Sequence, residues 1–365
     1  MNIECSVEQL KTVIQNAERC TSKNATLPAL QAILIVARNK SLTIKATNLS
    51  IGVEYSIPAK ITTEGVVALP GIVFANIVNT IRDGSVVNLT EKEQTIVISS
   101  KNTTIRVKTL PYEDFPTIPS VAGESVELPI KKLLEGIKAV SYSASLSDIK
   151  PEIASIFIYP NEDELVFVAT DSFRLAEKRI KIKNARECTP CIIPIKNCIE
   201  ITRIFDGIDG EVTLTFSENQ LTLQTAGIIV SSRVINGSFP DYKQIIPKTT
   251  TTEVIILKQD LLNTVKMATI FTDKFNQIQF SCNPQEKKVI FETKNNDIGE
   301  HTTSIDAVIK GEPIEVNFNF KYIFDCLTTL GEDSVSLSFT EAHKPCIIRP
   351  IGNTSFLYLL MPMNR

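Results

Sequence analysis

The sequence has few of the residues that most often carry catalysis and phosphate binding. It contains two histidines, His301 and His343, and only 14 glycines in 365 residues. Histidine-based catalysis and histidine-rich metal sites therefore have few candidates. There is also no glycine-rich phosphate loop and no GxSxG nucleophile elbow. We predict no catalytic residue, no metal ligand and no cofactor, and hence no enzyme.

Long hydrophobic runs are missing as well. No apolar segment approaches the roughly 18–20 residues that span a bilayer. The start, MNIECSVEQLKTV, lacks the cationic segment followed by an apolar one that marks a signal peptide. Eight cysteines without a secretory signal suggest reduced thiols. We expect a cytoplasmic protein with no membrane partner.

One motif of metal or redox chemistry is present, Cys188-Thr-Pro-Cys191, with Cys198 following. A CxxC pair can bind zinc or act in thiol–disulfide exchange. No second CxxC and no nearby histidine completes a zinc site, and the motif lies between two strand-like runs rather than in a βαβ unit. A structural origin is favoured, and a zinc or redox role remains the alternative.

A threefold repeat organises the chain. The segments TNLSIGVE, TDSFRLAE and TKNNDIGE begin at Thr47, Thr170 and Thr293, which are 123 residues apart. An amphipathic helix, a glycine-containing turn and an alternating strand also recur three times, and so does a second helix. The pattern predicts three α+β domains, each with two helices and antiparallel sheets, at 1–120, 121–247 and 248–365. Phe-Pro pairs at Pro116 and Pro240 mark the linkers.

The repeat, together with ATDSFRLA, FPDYKQIIP and the C-terminal YLLMPMNR, resembles the family of bacterial DNA sliding clamps, the DNA polymerase III beta subunits. TLPAL at Thr26–Leu30 and TLPYEDFP at Thr109–Pro116 fit the same pattern, so the resemblance covers the whole chain. It implies the DNA clamp fold: a homodimeric ring of six domains, with helices around duplex DNA and strands outside. The implied function is a processivity factor that tethers polymerase and other replication and repair proteins.

The same resemblance implies a peptide-binding cleft between domains two and three, where short linear peptides of polymerase and clamp-loader subunits dock. Carried over by motif, the cleft residues are Ile153, Thr170, Ser172, Phe173, Arg174, Leu175, Pro240, Gln244, Ile245, Asn319, Tyr322, His343, Pro345, Leu359, Leu360, Met361, Pro362 and Met363. The family usually has Gly-His at Ser172-Phe173 and often Arg at Gln244, so the ligand consensus is expected to differ.

The repeat itself offers a test of the cleft. At the turn exit the first copy reads Leu49-Ser50-Ile51 and the third reads Asn295-Asn296-Asp297, whereas only the middle copy carries Phe173-Arg174-Leu175. A feature that the fold requires should occur in every copy, so the difference indicates a docking site.

Each side chain of this stretch has an expected role. We expect Leu175 to form the floor of an apolar pocket together with Ile153, Ile245, Leu360 and Met361. Arg174 should donate to the peptide, and Phe173 should narrow the entrance.

A net charge of −3 does not suggest a nucleic-acid-binding protein. A ring, however, can hold DNA by topology with only weak phosphate contacts. The helical windows 7–19, 72–82, 130–146, 194–205, 257–268 and 318–330 together carry a charge of +5. The candidates for sequence-independent contact with double-stranded DNA are Lys11, Lys23, Lys131, Lys138, Lys196, Arg203, Lys266 and Lys321.

The resemblance also implies a head-to-tail dimer interface, in which Ile105 and Val107 of one subunit meet Ile270 and Phe271 of the other. Apolar residues on an edge strand favour association unless they are paired. A repeat-built scaffold that binds peptides but not DNA is the alternative reading of the chain.

Overall fold

The computed structural model describes residues 1–22, 27–81, 86–119, 123–272 and 274–363. Its internal contacts divide the chain into two compact units. Unit 1 contains residues 1–131 and 186–235, and unit 2 contains residues 132–185 and 236–365.

The described residues include six α-helices, as the 3.6-residue periodicity predicts. In the first helix, buried side chains at Val7, Leu10, Val13, Ile14 and Ala17 recur at helical spacing, and Ser6 caps its N-terminus. The helices are α1 Val7–Arg19, α2 Gly71–Thr80, α3 Ile130–Val140, α4 Ile195–Phe205, α5 Lys258–Ala268 and α6 Phe320–Thr329.

Unit 1 contains two antiparallel sheets, with the strand orders β5-β1-β7-β8-β9 and β10-β15-β16-β17-β4-β3-β2-β6. Alternating apolar and polar residues make one face of most strands buried. The strands of unit 1 are β1 Asn2–Ser6, β2 Ala32–Arg38, β3 Ser41–Thr47, β4 Ile51–Pro58, β5 Lys60–Thr63, β6 Gly65–Pro70, β7 Val86–Lys92, β8 Thr95–Ser99, β9 Thr104–Lys108, β10 Ser125–Pro129, β14 Cys191–Pro194, β15 Glu211–Phe216, β16 Gln220–Thr225 and β17 Ile228–Arg233.

Unit 2 contains the strand run β11-β12-β13-β26-β25-β24-β18-β22 and a four-stranded sheet in the order β21-β20-β19-β23. Its strands are β11 Ser155–Asn161, β12 Glu164–Thr170, β13 Arg174–Lys181, β18 Thr252–Leu257, β19 Gln277–Asn283, β20 Lys288–Asn295, β21 Gly299–Asp306, β22 Val308–Gly311, β23 Ile314–Asn319, β24 Ser334–Phe339, β25 Cys346–Pro350 and β26 Phe356–Leu360.

The threefold repeat of the sequence is a threefold repeat of structure. Three antiparallel strand triplets, β2-β3-β4, β11-β12-β13 and β19-β20-β21, contain the threonines spaced by 123 residues. Thr47, Thr170 and Thr293 are all buried. Helices α2, α4 and α6 each follow one strand and precede another. The predicted repeated α+β architecture with antiparallel sheets is therefore confirmed.

The compact units do not coincide with the sequence repeats, because strands of different repeats pair. In unit 1, β17 of the second repeat pairs with β4 of the first. In unit 2, β13 of the second repeat pairs with β26 of the third. Residues 121–247, the predicted middle domain, therefore contribute to both units.

Close packing in unit 2 seats α3 on its sheet. A Cβ at Gly136 would lie 2.4 Å from Cε2 of Phe167, a ring that is fully buried. The absence of a side chain at Gly136 thus lets the helix approach the aromatic ring. Within the described part of the chain, none of the helices has the length and apolar character needed to cross a membrane.

Candidate functional site

The turn that joins β12 to β13 is held by its own side chains. Thr170 Oγ1 donates to the carbonyl of Arg174 at 2.7 Å. Asp171 Oδ1 accepts from the backbone N–H groups of Phe173 at 2.9 Å and of Arg174 at 3.0 Å. Ser172 adopts the left-handed region with φ +78°. Such an Asx turn fixes the backbone and presents the Phe173 side chain, which is 61% exposed, to solvent.

Arg174 makes ion pairs and a ring contact within the protein. Its Nε lies 2.9 Å from Asp171 Oδ2 and its Nη1 lies 2.6 Å from Asp325 Oδ2. The guanidinium also stacks on the Tyr322 ring, with Cζ 4.4 Å from the centroid, and the side chain is only 11% exposed. Burial alone would lower the pKa of Arg174, but the bonds to Asp325 and Asp171 raise it. Two of the five guanidinium N–H groups therefore have acidic partners in this conformation, and donation from the others to a bound peptide stays a prediction.

Leu175 lies in the core beneath the turn. It is 1% exposed and packs in a cluster with Val166, Val168, Tyr242, Leu359 and other apolar residues. Leu175 is directly opposite Leu359 in the β13–β26 ladder, and Arg174 is opposite Leu360. Because side chains alternate along a strand, Leu360 lies on the opposite face of the sheet from Leu175. The predicted pocket of Leu175 with Leu360 is therefore wrong, and Leu359 takes the position that we assigned to Leu360.

A surface groove opens beside this cluster. We call it the tail groove; it has a volume of about 570 Å³. Its lining residues are Gln244, Ile245, Ile246, Pro247, Lys248, Thr249, Thr340, His343, Lys344, Pro345 and Met361. Ile246 also packs against the Leu175 cluster. The structure therefore brings together five of the predicted cleft residues: Gln244, Ile245, His343, Pro345 and Met361.

The C-terminal segment is tied to the turn and to the groove. The backbone N–H of Met361 donates to the carbonyl of Phe173 at 2.9 Å, and that of Met363 donates to the carbonyl of Asn317 at 2.8 Å. Pro362 lies between these two bonds. The tail thus connects the exposed Phe173 to the wall of the tail groove.

The second linker, at Pro240, is anchored by Tyr242, which was not among the predicted cleft residues. Tyr242 is buried, its hydroxyl donates to Glu177 Oε2, and it lies 2.7 Å from the Tyr159 hydroxyl. Burial and the hydrogen bond to Glu177 raise the pKa of Tyr242. Glu177 is the glutamate that ends the second repeated segment, TDSFRLAE, and each of the three segments ends in this way, but nothing in the sequence paired Glu177 with Tyr242.

The remaining predicted cleft residues have structural contacts of their own. The Asn319 side chain caps α6 by accepting from the Lys321 N–H at 3.0 Å. Ile153 is buried and its N–H donates to the carbonyl of Lys150 at 3.2 Å. Pro240 is exposed, and its carbonyl accepts a hydrogen bond from the backbone N–H of Tyr242. These three residues do not line the tail groove.

Comparison with models of known protein families shows which family the chain matches. A model of the DNA polymerase III beta subunit N-terminal domain matches residues 1–119. The central-domain model matches residues 127–241, and the C-terminal-domain model matches residues 243–364.

The chain belongs to the DNA polymerase III beta subunit family.

Relatives of this beta subunit match over nearly their full length. The "Beta sliding clamp" of Synechococcus elongatus is 25% identical over 374 residues, covering 100% of this chain and 99% of the relative. That of Staphylococcus aureus is 24% identical over 362 residues, covering 96% of each. The solved DNA polymerase III beta subunit of Thermotoga maritima has a TM-score of 0.94 at 26% identity, covering 100% of this chain and 99% of that one. The solved Bacillus subtilis sliding clamp shares the fold, with a TM-score of 0.95 at 24% identity and the same coverage.

The cationic candidates of this beta subunit are mostly exposed. Lys138, Lys196, Lys266 and Lys321 are all exposed, whereas Lys23 lies outside the described residues. Lys131 Nζ is 2.8 Å from Asp209, and each of these side chains is 82% exposed. Exposed ion pairs contribute little, so a phosphate can replace such a partner. The other two candidates bond within the protein: Arg203 to Glu200, three positions away, at 2.5 Å, and Lys11 to the carbonyl of Asn79 at 3.3 Å.

The two predicted interface segments of the beta subunit differ in exposure. Strand β9 is the last strand in its sheet and pairs with β8, so the edge position of Ile105 and Val107 is confirmed. Val107 is buried and Ile105 half-buried against that sheet. Ile270 is 55% exposed, and the half-buried Phe271 stacks on His301 with ring centroids 5.9 Å apart.

The cysteine motif of the beta subunit is buried. Burial raises the pKa of Cys188 and of Cys191 to about 12, and the two residues are only 4% and 8% exposed. A thiol with such a pKa is almost entirely protonated at pH 8, and it is the thiolate that reacts. These properties favour a structural origin for the motif.

We therefore expect iodoacetamide at pH 8 to leave Cys188 and Cys191 unmodified in the native protein and to modify them fully in denaturant. Mass spectrometry of tryptic peptides measures both. Rapid alkylation of either cysteine in the native state would revive the redox or zinc reading.

Proposed function

We propose that this chain is the processivity factor of a replicative DNA polymerase, a sliding clamp that encircles duplex DNA. The observation that carries the proposal is the match of three successive beta subunit domains across residues 1–364. The role is tethering, and no catalytic step is assigned to the chain. We place the domains at 1–120, 121–247 and 248–365, and the site of action in the cytoplasm, where bacterial DNA is replicated.

The partner-binding site that we propose is the tail groove and its rim. Ile245 is exposed, and together with Ile246 and Met361 it supplies adaptable apolar surface. An extended peptide of a polymerase or clamp-loader subunit would place one or two aliphatic side chains there. Phe173, held by the Met361 N–H, forms the rim. Arg174 supports the rim from beneath the turn, because its bonds to Asp171 and Asp325 hold the turn in place.

We propose that the assembly is a head-to-tail homodimer and that its subunits meet through β9 and the Ile270-Phe271 segment. The edge position of β9 and the exposed side chain of Ile270 support this assignment. The ring then retains DNA by topology, so weak phosphate contacts from lysine and arginine suffice.

DNA contact is tested by charge reversal on the helices. Replacing Lys131, Lys138 and Arg203 together by Glu should reduce the amount of clamp retained on DNA by about tenfold, because each loses an attractive phosphate contact and gains a repulsive one. The three positions are exposed, so the protein should remain folded. Gel filtration of loaded circular DNA at several salt concentrations measures the retained clamp.

The matched control replaces Lys101, Lys183 and Lys287, which are exposed and outside the helices, by Glu. This control protein has the same net charge as the helix variant and should be retained as the unmodified protein is. Equal retention of all three proteins across the salt series would contradict the assignment of these helices to DNA.

A further inference from the structure

The turn of the cleft occurs a second time, in unit 1. Between β3 and β4, Thr47 Oγ1 donates to the carbonyl of Ile51 at 3.0 Å. Asn48 Oδ1 accepts from the N–H groups of Ser50 and Ile51, both at 2.9 Å. Leu49 has φ +70°, as Ser172 has φ +78° in the cleft. The two turns have the same hydrogen bonds at the same positions.

This correspondence corrects the repeat alignment of the cleft. The residues that match Phe173, Arg174 and Leu175 are Ser50, Ile51 and Gly52, one position later than we compared above. The turn is therefore a property of the fold that two repeats share. What distinguishes the repeats is the set of side chains that the turn presents.

The neighbouring strand also corresponds. The N–H of Arg233 donates to the carbonyl of Ser50 at 2.8 Å, as Met361 does to Phe173. Gly52 is directly opposite Ser231 in the β4–β17 ladder, as Leu175 is opposite Leu359. Unit 1 therefore contains a second copy of the backbone arrangement found at the cleft, which we call the second frame. It carries Gly52, Ser231 and Arg233 where the cleft has Leu175, Leu359 and Met361.

The linker of this chain fills part of that second frame. A Cβ at Gly52 would lie 3.1 Å from both Cγ1 and Cγ2 of Ile118. Ile118 lies two positions after Pro116 in the first linker, where the second linker has Tyr242, which packs in the cluster of Leu175. The Ile118 side chain thus occupies space that the missing side chain of Gly52 leaves open.

A groove of about 200 Å³ remains beside Ile118, which we call the linker groove. Its lining includes Leu49, Ile118, Pro119, Gln220, Ser231 and Arg233. Ser231 is 4% exposed, and its hydroxyl has no hydrogen-bond partner among the described residues. A buried hydroxyl without a partner is unfavourable, and native proteins rarely leave one unsatisfied. Arg233 is exposed and adds a positive charge to the lining.

We propose that the linker groove is a second peptide-docking site, in which an extended peptide with an aliphatic residue and, two positions later, a carboxylate displaces the side chain of Ile118. The aliphatic side chain takes the space over Gly52. The Ser231 hydroxyl, opposite Gly52, donates to the peptide backbone, and the carboxylate accepts from the Arg233 guanidinium.

Strand geometry sets the spacing of the two anchors. Ser231 and Arg233 lie two positions apart on β17 and therefore on the same face, roughly 7 Å from each other along the strand. An extended peptide repeats its side-chain direction at the same interval. A carboxylate complements the arginine through a charge-assisted hydrogen bond, which is stronger than a neutral one. The tail groove has the apolar Met361 at the corresponding position, so the two sites should prefer different peptides.

This inference rests on the proposed function. NMR of isoleucine methyl groups distinguishes binding in the linker groove from binding in the tail groove. The protein is labelled at isoleucine methyl groups, and Ile118→Val and Ile245→Val assign one reporter in each groove. The probe is the peptide acetyl-Ala-Leu-Ala-Glu-amide, and acetyl-Ala-Leu-Ala-Gln-amide is its matched control. The Ile118 resonance should shift saturably with the glutamate peptide, and the glutamine peptide should bind this site about tenfold more weakly.

The variant Arg233→Ala should weaken the binding seen at Ile118 by about tenfold while leaving the binding seen at Ile245 unchanged. An Ile118 resonance that does not move while Ile245 saturates would overturn the second site and leave the cleft intact. Movement of Ile118 with a silent Ile245 would support the second site and show that the two grooves select different peptides. Equal affinity of Arg233→Ala and the unmodified protein at Ile118 would also overturn the proposal.

Discussion

Removal of the last five residues, Met361–Arg365, is expected to weaken binding of a partner peptide by at least about a hundredfold, to below detection. The deletion takes away the Met361 side chain that lines the tail groove and the N–H that holds the Phe173 carbonyl. Burying one or two aliphatic side chains contributes about 1.5–3 kcal/mol each, and a short peptide is expected to bind with a dissociation constant of about 1 μM. Fluorescence anisotropy with a labelled polymerase-tail peptide measures the loss.

Two matched proteins make this result specific to the groove. A truncation after Met363 keeps both tail hydrogen bonds and should bind as the full-length chain does. The five-residue deletion should retain the dimer, because the proposed subunit interface lies elsewhere. Equal binding by the deleted and full-length proteins would remove the role assigned to the tail groove and to Phe173.

Replacing Ile270 and Phe271 by Asp is expected to convert the dimer into monomers. Ile270 is 55% exposed in the isolated chain and would be covered in the ring. Burying two unpaired carboxylates at an apolar contact costs several kcal/mol, which corresponds to at least about a thousandfold weaker association. Sedimentation equilibrium should then give a mass near 40.4 kDa instead of twice that value.

The control for this experiment uses apolar residues that are more exposed than Ile270 and belong to a different segment. Leu146 and Ile149 are 94% and 88% exposed, and changing both to Asp should leave the dimer mass unchanged. Because Phe271 also stacks on His301, Ile270→Asp alone separates loss of the interface from loss of folding. An unchanged mass for both interface variants would mean that the subunits meet through another surface.

Local features of the fold could be predicted from the sequence. The helix periodicity of Val7–Arg19 and the alternation along β3 and β4 are contained in short windows, and the structure has these elements. The motif resemblance predicted the family. It also predicted five cleft residues that the structure brings together in one groove: Gln244, Ile245, His343, Pro345 and Met361.

Long-range pairing could not be predicted. The ion pair of Arg174 joins residues 151 positions apart, and no local pattern in the sequence connects Arg174 to Asp325. The face on which Leu360 lies depends on its register with β13, and a shift of one residue reverses the face. The expected pocket failed for this reason, because adjacent residues of the tail were assigned to one surface. The shared turn of Thr47 and Thr170 was likewise hidden by an alignment shifted by one residue.

Retention on closed DNA tests the central claim most directly, because a ring that holds DNA by topology must depend on the ends of the DNA. The clamp is loaded by a clamp loader onto nicked circular DNA, isolated by gel filtration, and measured before and after a restriction enzyme cuts the circle. The ring account predicts that the protein stays with the circle and leaves the linear product within minutes. Equal retention on circular and linear DNA, or no retention on either, would contradict it and favour a scaffold that binds peptides without encircling DNA.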